Sequence, residues 1–348
     1  MNIDSLVRKN IHALHPYHSA RQDFLSGLLL DANENSFGSV FSADNLPLHR
    51  YPDPSQREMR SVLAALNSVA LENVFVGVGS DEVIDLLVRV FCEPRNDSVV
   101  VLEPTYGMYR VAASIQDVEV RSCLLNDTFQ IDLGKVRKAI DPSTKLIFCC
   151  SPNNPTANLL HSKDIIALCE LGAMVIVDEA YIDFAQTKSL GTQVLTHPNL
   201  VVLRTLSKAW GLAGIRLGYC LADSIVISYL IKVKPPYNIN IQTSRTALRA
   251  LRLKDEVLHL VASIREERTW LTRELARLSC IQHVFPSDAN FLLVRSMNAP
   301  ALYQFLAARN IIVRNRSTEP LLQNCLRITV GTRDENTMLI QAMKEYHP

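Results

Sequence analysis

The sequence predicts an α/β fold, with a large domain on a mostly parallel central sheet and a smaller α+β domain after it. Over the first two thirds of the chain, short apolar runs alternate with longer amphipathic ones. The runs are β-branched-rich or apolar throughout, as strands become when both faces of a sheet are covered. The alternation breaks around Pro235-Pro236-Tyr237. These observations divide the chain into an N-terminal arm (1–30), a large domain (31–235) and a small C-terminal domain (236–348). The arm is expected to pack with the small domain and the functional site.

Taken in order, the expected strands of the large domain are Val74–Val78, Ser98–Leu102, Leu146–Cys150, Met174–Val177, Leu200–Leu203 and Leu217–Leu221. Helical patterns lie between several of them, including Asp81–Cys92 and Ser162–Leu171. Strands alternating with helices argue for parallel pairing. Beyond Tyr237 a long helix is expected from about Thr243 to Leu278, with Glu and Arg on its polar face. Strand Asn290–Val294, a helix near Ala301–Arg309, strands Ile311–Val313 and Leu326–Val330 and a last helix complete the small domain. The first 30 residues carry His12, His15, Pro16 and Tyr17 with little periodicity.

At 348 residues, 48% of them hydrophobic, the chain can bury a substantial core, and its length suits about two domains. The formal net charge of +1 gives no broad attraction to nucleic acid or to an anionic membrane. The eight cysteines are scattered without a C-x-x-C, so they read as small buried hydrophobes, and no disulfide framework or metal centre is expected. Arg8, Lys9, Arg21 and Asp23 interrupt the N-terminal apolar stretches, which argues against a signal peptide. No segment approaches the ~18 apolar residues needed to span a bilayer. The expected location is the cytoplasm.

The chemistry gathers where strands end. Val74–Val78 runs into Gly79-Ser80-Asp81-Glu82 at a helix start, where free N–H groups attract an anion. Taken alone, such a turn is more often ordinary N-capping. Tyr106, in Pro104-Thr105-Tyr106-Gly107, stands where a ring would stack on a planar ligand, or simply pack in its loop. Ser151-Pro152-Asn153-Asn154-Pro155-Thr156 makes a rigid turn that can aim an amide at an aromatic oxygen. Met174–Val177 delivers Asp178, costly at the end of an apolar strand unless it caps a helix or faces a cation such as a pyridinium. Tyr181 follows three residues on. Strand Leu200–Leu203 leads to Thr205-Leu206-Ser207-Lys208, and Arg216 lies eight residues past the lysine. A lone lysine reads as surface, but an amine beside phosphate-holding groups is what pyridoxal 5′-phosphate (PLP) requires. Five successive strand ends offer complementary groups, and that combination favours the cofactor.

With these motifs in view, the chain resembles the fold-type I PLP-dependent aminotransferases, and within them most closely those acting on histidinol phosphate. The resemblance rests on Pro16-Tyr17-His18-Ser19-Ala20-Arg21, Asp31-Ala32-Asn33-Glu34-Asn35, Arg50-Tyr51-Pro52 and Pro104-Thr105-Tyr106-Gly107-Met108-Tyr109. Further matches are the Ser151–Thr156 turn, Asp178-Glu179-Ala180-Tyr181, Thr205-Leu206-Ser207-Lys208-Ala209 and Cys325-Leu326-Arg327-Ile328-Thr329-Val330-Gly331-Thr332. It implies that Lys208 is the Schiff-base lysine, Asp178 the ring-nitrogen partner and Tyr106 the stacking ring. Tyr181 and Asn154 would contact the cofactor's 3-oxygen. Ser80, Asp81, Thr205, Ser207 and Arg216 would surround its phosphate. Tyr51 would reach the cofactor phosphate of another subunit, which implies a homodimer with shared sites. Arg327 would bind the carboxylate of the amino-acid partner, and Arg314 and Tyr17 the phosphate of the substrate. Ala157 departs from the family pattern, where glycine is usual.

The activity implied is a ping-pong transfer in histidine biosynthesis. It converts L-histidinol phosphate and 2-oxoglutarate to imidazole-acetol phosphate and L-glutamate, with Lys208 as general base and acid. An aromatic amino-acid aminotransferase and a PLP decarboxylase of a phosphorylated amino acid are rivals on the same scaffold. A PLP-sensing regulator would need a DNA-binding module, and the region before Asp31 is too short and too poorly patterned for one.

Overall fold

A computed structural model describes residues 2–17, 19–22, 24–41 and 46–347, so His18 of the arm motif and Asp23 lie outside the described residues. Seven strands form the large sheet: β1 (Val74–Val78), β2 (Ser98–Glu103), β3 (Glu119–Leu124), β4 (Thr144–Cys150), β5 (Met174–Asp178), β6 (Leu200–Thr205) and β7 (Leu217–Ala222). Their spatial order is β1-β7-β6-β5-β4-β2-β3. Strands β3, β2, β4, β5 and β6 pair in parallel, while β7 runs antiparallel to both β6 and β1. Alternate residues feed two cores: Ile147, Cys149 and Val175 on one face, Phe148, Cys150 and Ile176 on the other. That double coverage is why these strands read as continuous apolar runs. β3 was not expected, and the reason is its edge position, where Glu119, Arg121 and Ser122 break the apolar run.

The small domain holds β8 (Ile281–Val284), β9 (Phe291–Ser296), β10 (Arg314–Asn315) and β11 (Cys325–Thr329) in the antiparallel order β10-β11-β9-β8. Helices Lys254–Leu275, Ala299–Ala307 and Arg333–Lys344 share its core. Two expectations need correction. The long helix is in fact two, Ile241–Ala250 and Lys254–Leu275. Ala247 and Leu251 bury in the large-domain core, and the Thr243 hydroxyl donates to the Ile215 carbonyl at 2.9 Å. The second helix buries Leu271 and Leu275 in the small core instead, so the path breaks between them. Ile311–Val313 forms no strand, because the Ile311 N–H turns back to the Leu306 carbonyl and closes the preceding helix through left-handed Asn310. Pairing starts at Arg314.

The arm also departs from expectation. Its first part docks on the large domain, not on the small one. Ile3 and Val7 bury in the core beneath helices Gly79–Phe91 and Ser224–Val233. Arg8 pairs with Glu93 at 3.1 Å, and Tyr229 donates to Asp4 at 2.7 Å. Further along, buried Arg21 bonds both Asp31 and Glu34 at 2.5 Å, while Glu34 also accepts from Arg50 (2.6 Å) and from the Tyr51 N–H (2.7 Å). Burial opposes ionisation of Glu34, but the Tyr51 N–H, Arg50 and Arg21 together outweigh it and pull its pKa down to about 2. One carboxylate thereby ties three of the sequence motifs together.

Helix Gly79–Phe91 starts against β7 at a contact only glycine permits. A Cβ on Gly218 would lie 2.3 Å from the Ser80 nitrogen and 2.5 Å from the Gly79 carbonyl carbon. Gly218→Ala is therefore expected to lower stability by about 1–3 kcal/mol in urea unfolding. Unchanged unfolding would mean that the strand and the helix start are not pressed together.

Candidate active site

The parallel strands end around a cavity of about 160 Å³. Each wall comes from a different strand end, as open α/β sheets arrange their ligand sites. One end of the cavity is built for an anion. Gly79 (φ +73°), Ser80 and Asp81 form the first turn of helix Gly79–Phe91, whose N–H groups face no carbonyl of the helix itself. Left-handed Arg216 accepts from the Gly79 N–H at 2.9 Å, and its guanidinium lies 3.5 Å from Asp81. A Cβ on Gly79 would meet that guanidinium at 2.9 Å, so glycine leaves the cradle open. Ser207 lines the same end. The Thr205 hydroxyl accepts from the Ser207 N–H (3.1 Å) and donates to its Oγ (3.0 Å), so Thr205 sets the serine rotamer.

Farther into the cavity Asp178 closes β5, only 4% exposed. Its Oδ1 accepts from the Ala180 N–H (3.0 Å) and its Oδ2 from the Tyr109 hydroxyl (2.9 Å). Burial pushes the Asp178 pKa up to about 6, although these two donors, and more weakly Lys208, act the other way. Tyr106 lines the wall and donates to Asp81 at 3.1 Å. Tyr181 is buried beneath Lys208, whose Nζ lies 5.5 Å from the ring centre. Burial of Lys208 lowers its pKa, helped by Arg327 and Arg216 and opposed by Asp178 and Asp81. Such an amine loses its proton readily and becomes a nucleophile.

Asn154 completes the wall, its Oδ1 accepting from Arg327 at 2.5 Å. Arg327 packs over Phe291, which in turn meets Tyr181 edge-on. The β10–β11 register sets Arg314 directly opposite Arg327. Burial, Arg316 and Arg314 all disfavour the Arg327 charge, so a bound anion would relieve this cluster. The donor set fits the cofactor that the resemblance implies. N–H groups, Ser207 and Arg216 suit a phosphate, Asp178 a pyridinium, Tyr181 and Asn154 a ring oxygen, and Lys208 an aldehyde.

Tyr51, Tyr17 and Arg314, all expected here, do not line this cavity. Tyr51 is 49% exposed and stacks on Tyr237 at 4.5 Å. Tyr17 is exposed in a separate cleft beside Lys232 and Lys234, because the segment before it is anchored on the large domain. Arg314 is exposed and reaches the site only through its neighbour Arg327. Sequence reasoning missed Tyr109, although it follows Tyr106 by three residues and helical spacing puts such a pair on one face. It also missed the pair Glu179 and Arg204 (3.9 Å), with Arg204 bonded to Asp183 at 2.6 Å, which ties the Tyr181 loop to β6. Ala157, where glycine is usual, is buried with φ +68°, the left-handed conformation that favours glycine.

The family model for aminotransferase class I and II matches residues 26–343. A histidinol-phosphate aminotransferase of Bacteroides thetaiotaomicron is 46% identical over 99% of both chains, and one of Cytophaga hutchinsonii is 44% identical over 99% of both. Among solved structures, the histidinol-phosphate aminotransferase of Sinorhizobium meliloti in complex with pyridoxal 5′-phosphate superposes with a TM-score of 0.79. The two are 23% identical over 90% of this chain and 89% of that one, a likeness that speaks to the fold.

A carboxyl with a raised folded-state pKa favours the folded state at low pH and loses that contribution as pH rises through the folded value. In cofactor-free protein, stability should fall as pH climbs from about 4 through 6, by as much as about 3 kcal/mol from Asp178 alone. Asp178→Asn should remove that component in urea titrations run across the range. A wild-type profile in the variant would mean that Asp178 is not the group titrating.

Proposed function

Because the chain belongs to the aminotransferase class I and II family, we propose that it transfers the amino group of L-histidinol phosphate to 2-oxoglutarate. The products are imidazole-acetol phosphate and L-glutamate, a step of histidine biosynthesis, and the cofactor is pyridoxal 5′-phosphate. The observation that carries the reading is Lys208 set between a buried Asp178 and the Arg216 anion cradle in one cavity. The narrower substrate assignment is supported by relatives 44–46% identical over 99% of the chain. The facing arginines Arg314 and Arg327 suit a substrate with an anionic end.

Bound PLP supplies an electron sink for the substrate's amino-bearing carbon. Asp178 would pair with the ring nitrogen and so favour its protonated form. Tyr181 and Asn154 orient the ring through its oxygen. Tyr106 covers one face, while Ser207, Arg216 and the N–H groups of Ser80 and Asp81 hold the phosphate. Lys208 Nζ, with its lowered pKa, would act as the general base and acid that moves the proton at the substrate's amino-bearing carbon. Arg327 binds the anionic end of each substrate in turn, since its planar fork pairs with carboxylate and phosphate alike.

We also propose a homodimer in the cytoplasm. Leu28, Phe37 and Val40, which flank the Asp31–Asn35 motif, are almost wholly exposed, and a second copy would cover them. Tyr51, standing outside its own subunit's cavity, would then enter the neighbour's. The buried free thiols suit a reducing compartment. The test of substrate choice is a half-reaction screen. The PLP form is mixed separately with histidinol phosphate, phenylalanine and tyrosine, and conversion to the pyridoxamine form is followed by absorbance. Histidinol phosphate should convert fastest, and a phosphorylated amino acid, which carries the carboxyl group that histidinol phosphate lacks, should release no carbon dioxide when added as a fourth substrate. Faster conversion by phenylalanine or tyrosine would favour the aromatic rival, and released carbon dioxide the decarboxylase.

Lys208→Ala should abolish transamination together with the visible absorbance of bound cofactor, and turnover in that variant would contradict its role. Arg327→Ala should slow both half-reactions, each measured by stopped flow, and a loss confined to one would move the anion subsite elsewhere. Mixed Lys208→Ala and Tyr51→Ala subunits, after exchange, should regain activity above that of either parent, because one site per hybrid then has both groups. No recovery would argue against a shared site.

A further inference from the structure

We infer that Tyr109 is a positioning residue for the cofactor, holding Asp178 ionised and aimed at the ring nitrogen through a buried hydroxyl. The inference rests on the reading that PLP fills the cavity, and it deepens that reading. The Tyr109 hydroxyl lies 2.9 Å from Asp178 Oδ2, and the side chain is wholly buried. Its ring is fixed from two sides, stacked on Phe148 with centroids 4.8 Å apart and met edge-on by Tyr106 at 5.6 Å. The donor therefore has one orientation before any ligand arrives. The Ala180 N–H holds the other carboxylate oxygen, so the two donors together fix the plane of the carboxylate.

The rest of the surroundings leave Tyr109 a specific electrostatic task. Asp178 is faced by Tyr109 and Tyr106 from the segment around helix Met108–Ile115 and by Cys150 from β4. Asp81 faces it from helix Gly79–Phe91, Lys208 from the loop after β6, and Tyr181 from its own loop. Burial and Asp81 both favour the neutral acid, whereas Tyr109, the Ala180 N–H and Lys208 favour the anion. Lys208 cannot be relied on for this, since an amine that condenses with an aldehyde gives up its role as a free ammonium. Tyr109 and the backbone donor remain, and Tyr109 is the one that a side-chain substitution can remove. A hydrogen bond to a charged acceptor in a buried site is worth about a factor of ten or more in an equilibrium.

The test compares two ligands that differ only at the ring nitrogen. Protein stripped of PLP is titrated at pH 8 with PLP and with its 1-deaza analogue, which has C–H where PLP has nitrogen. Wild type should bind PLP more tightly. Tyr109→Phe keeps the stacked ring and removes only the donor, and it should shrink that preference about tenfold. In an Asp178→Asn background the same substitution should leave the preference unchanged. A 3-fluorotyrosine at position 109 keeps the fold and strengthens the donor, so it should widen the preference. Equal weakening of both ligands by Tyr109→Phe would make Tyr109 a packing residue only and overturn the inference, as would an unchanged preference. Failure of wild type to bind either ligand would instead sink the PLP reading itself.

Discussion

A carboxylate buried at the end of a hydrophobic strand is the constraint on which this structure turns. Asp178 closes β5 in the middle of the large sheet, and its neighbours in the register are Cys150 and Leu203. Nothing in that setting welcomes a negative charge, and the raised pKa records the cost. Two donors offset part of it. A cationic ring set against Asp178 would offset the rest, so the cost of burying this carboxylate would also select for a protonated heterocycle. Buried charge of this kind is retained where function requires it.

The same cavity is polarised along its length. Arg216 and the helix start make one end positive, Asp178 makes the middle negative, and Arg327 with Arg314 and Arg316 makes the rim positive again. Lys208 sits where these fields overlap, and its pKa is held down first by burial and then by Arg327 and Arg216, against Asp178 and Asp81. This alternation suits a ligand that carries a phosphate, a cationic ring and an anionic substrate in that order. The close contact at Gly218 keeps the helix start against β7 and so preserves the spacing between the first two regions.

How much of this was legible in the sequence depended on burial. Strands covered on both faces announced themselves as apolar runs, and their C-terminal ends carried Ser80, Tyr106, Asn154, Asp178, Tyr181 and Lys208 to one cavity. Edge strands β3 and β8 carry polar residues at positions a central strand would fill with hydrophobes, so they escaped notice. The break between helices Ile241–Ala250 and Lys254–Leu275 was hidden because both halves keep helical periodicity, and only the choice of core separates them. Tyr109 was given no role from the sequence because its polar atom meets a partner that is 69 residues away in sequence. Tyr17 and Tyr51 were recognisable from motifs alone, and both stand exposed outside the cavity.

The most direct measurement is to reduce the protein–cofactor linkage with borohydride and locate the label by peptide mapping. The label is expected on Lys208 and on no other side chain. Label elsewhere, or none at all, would contradict the account.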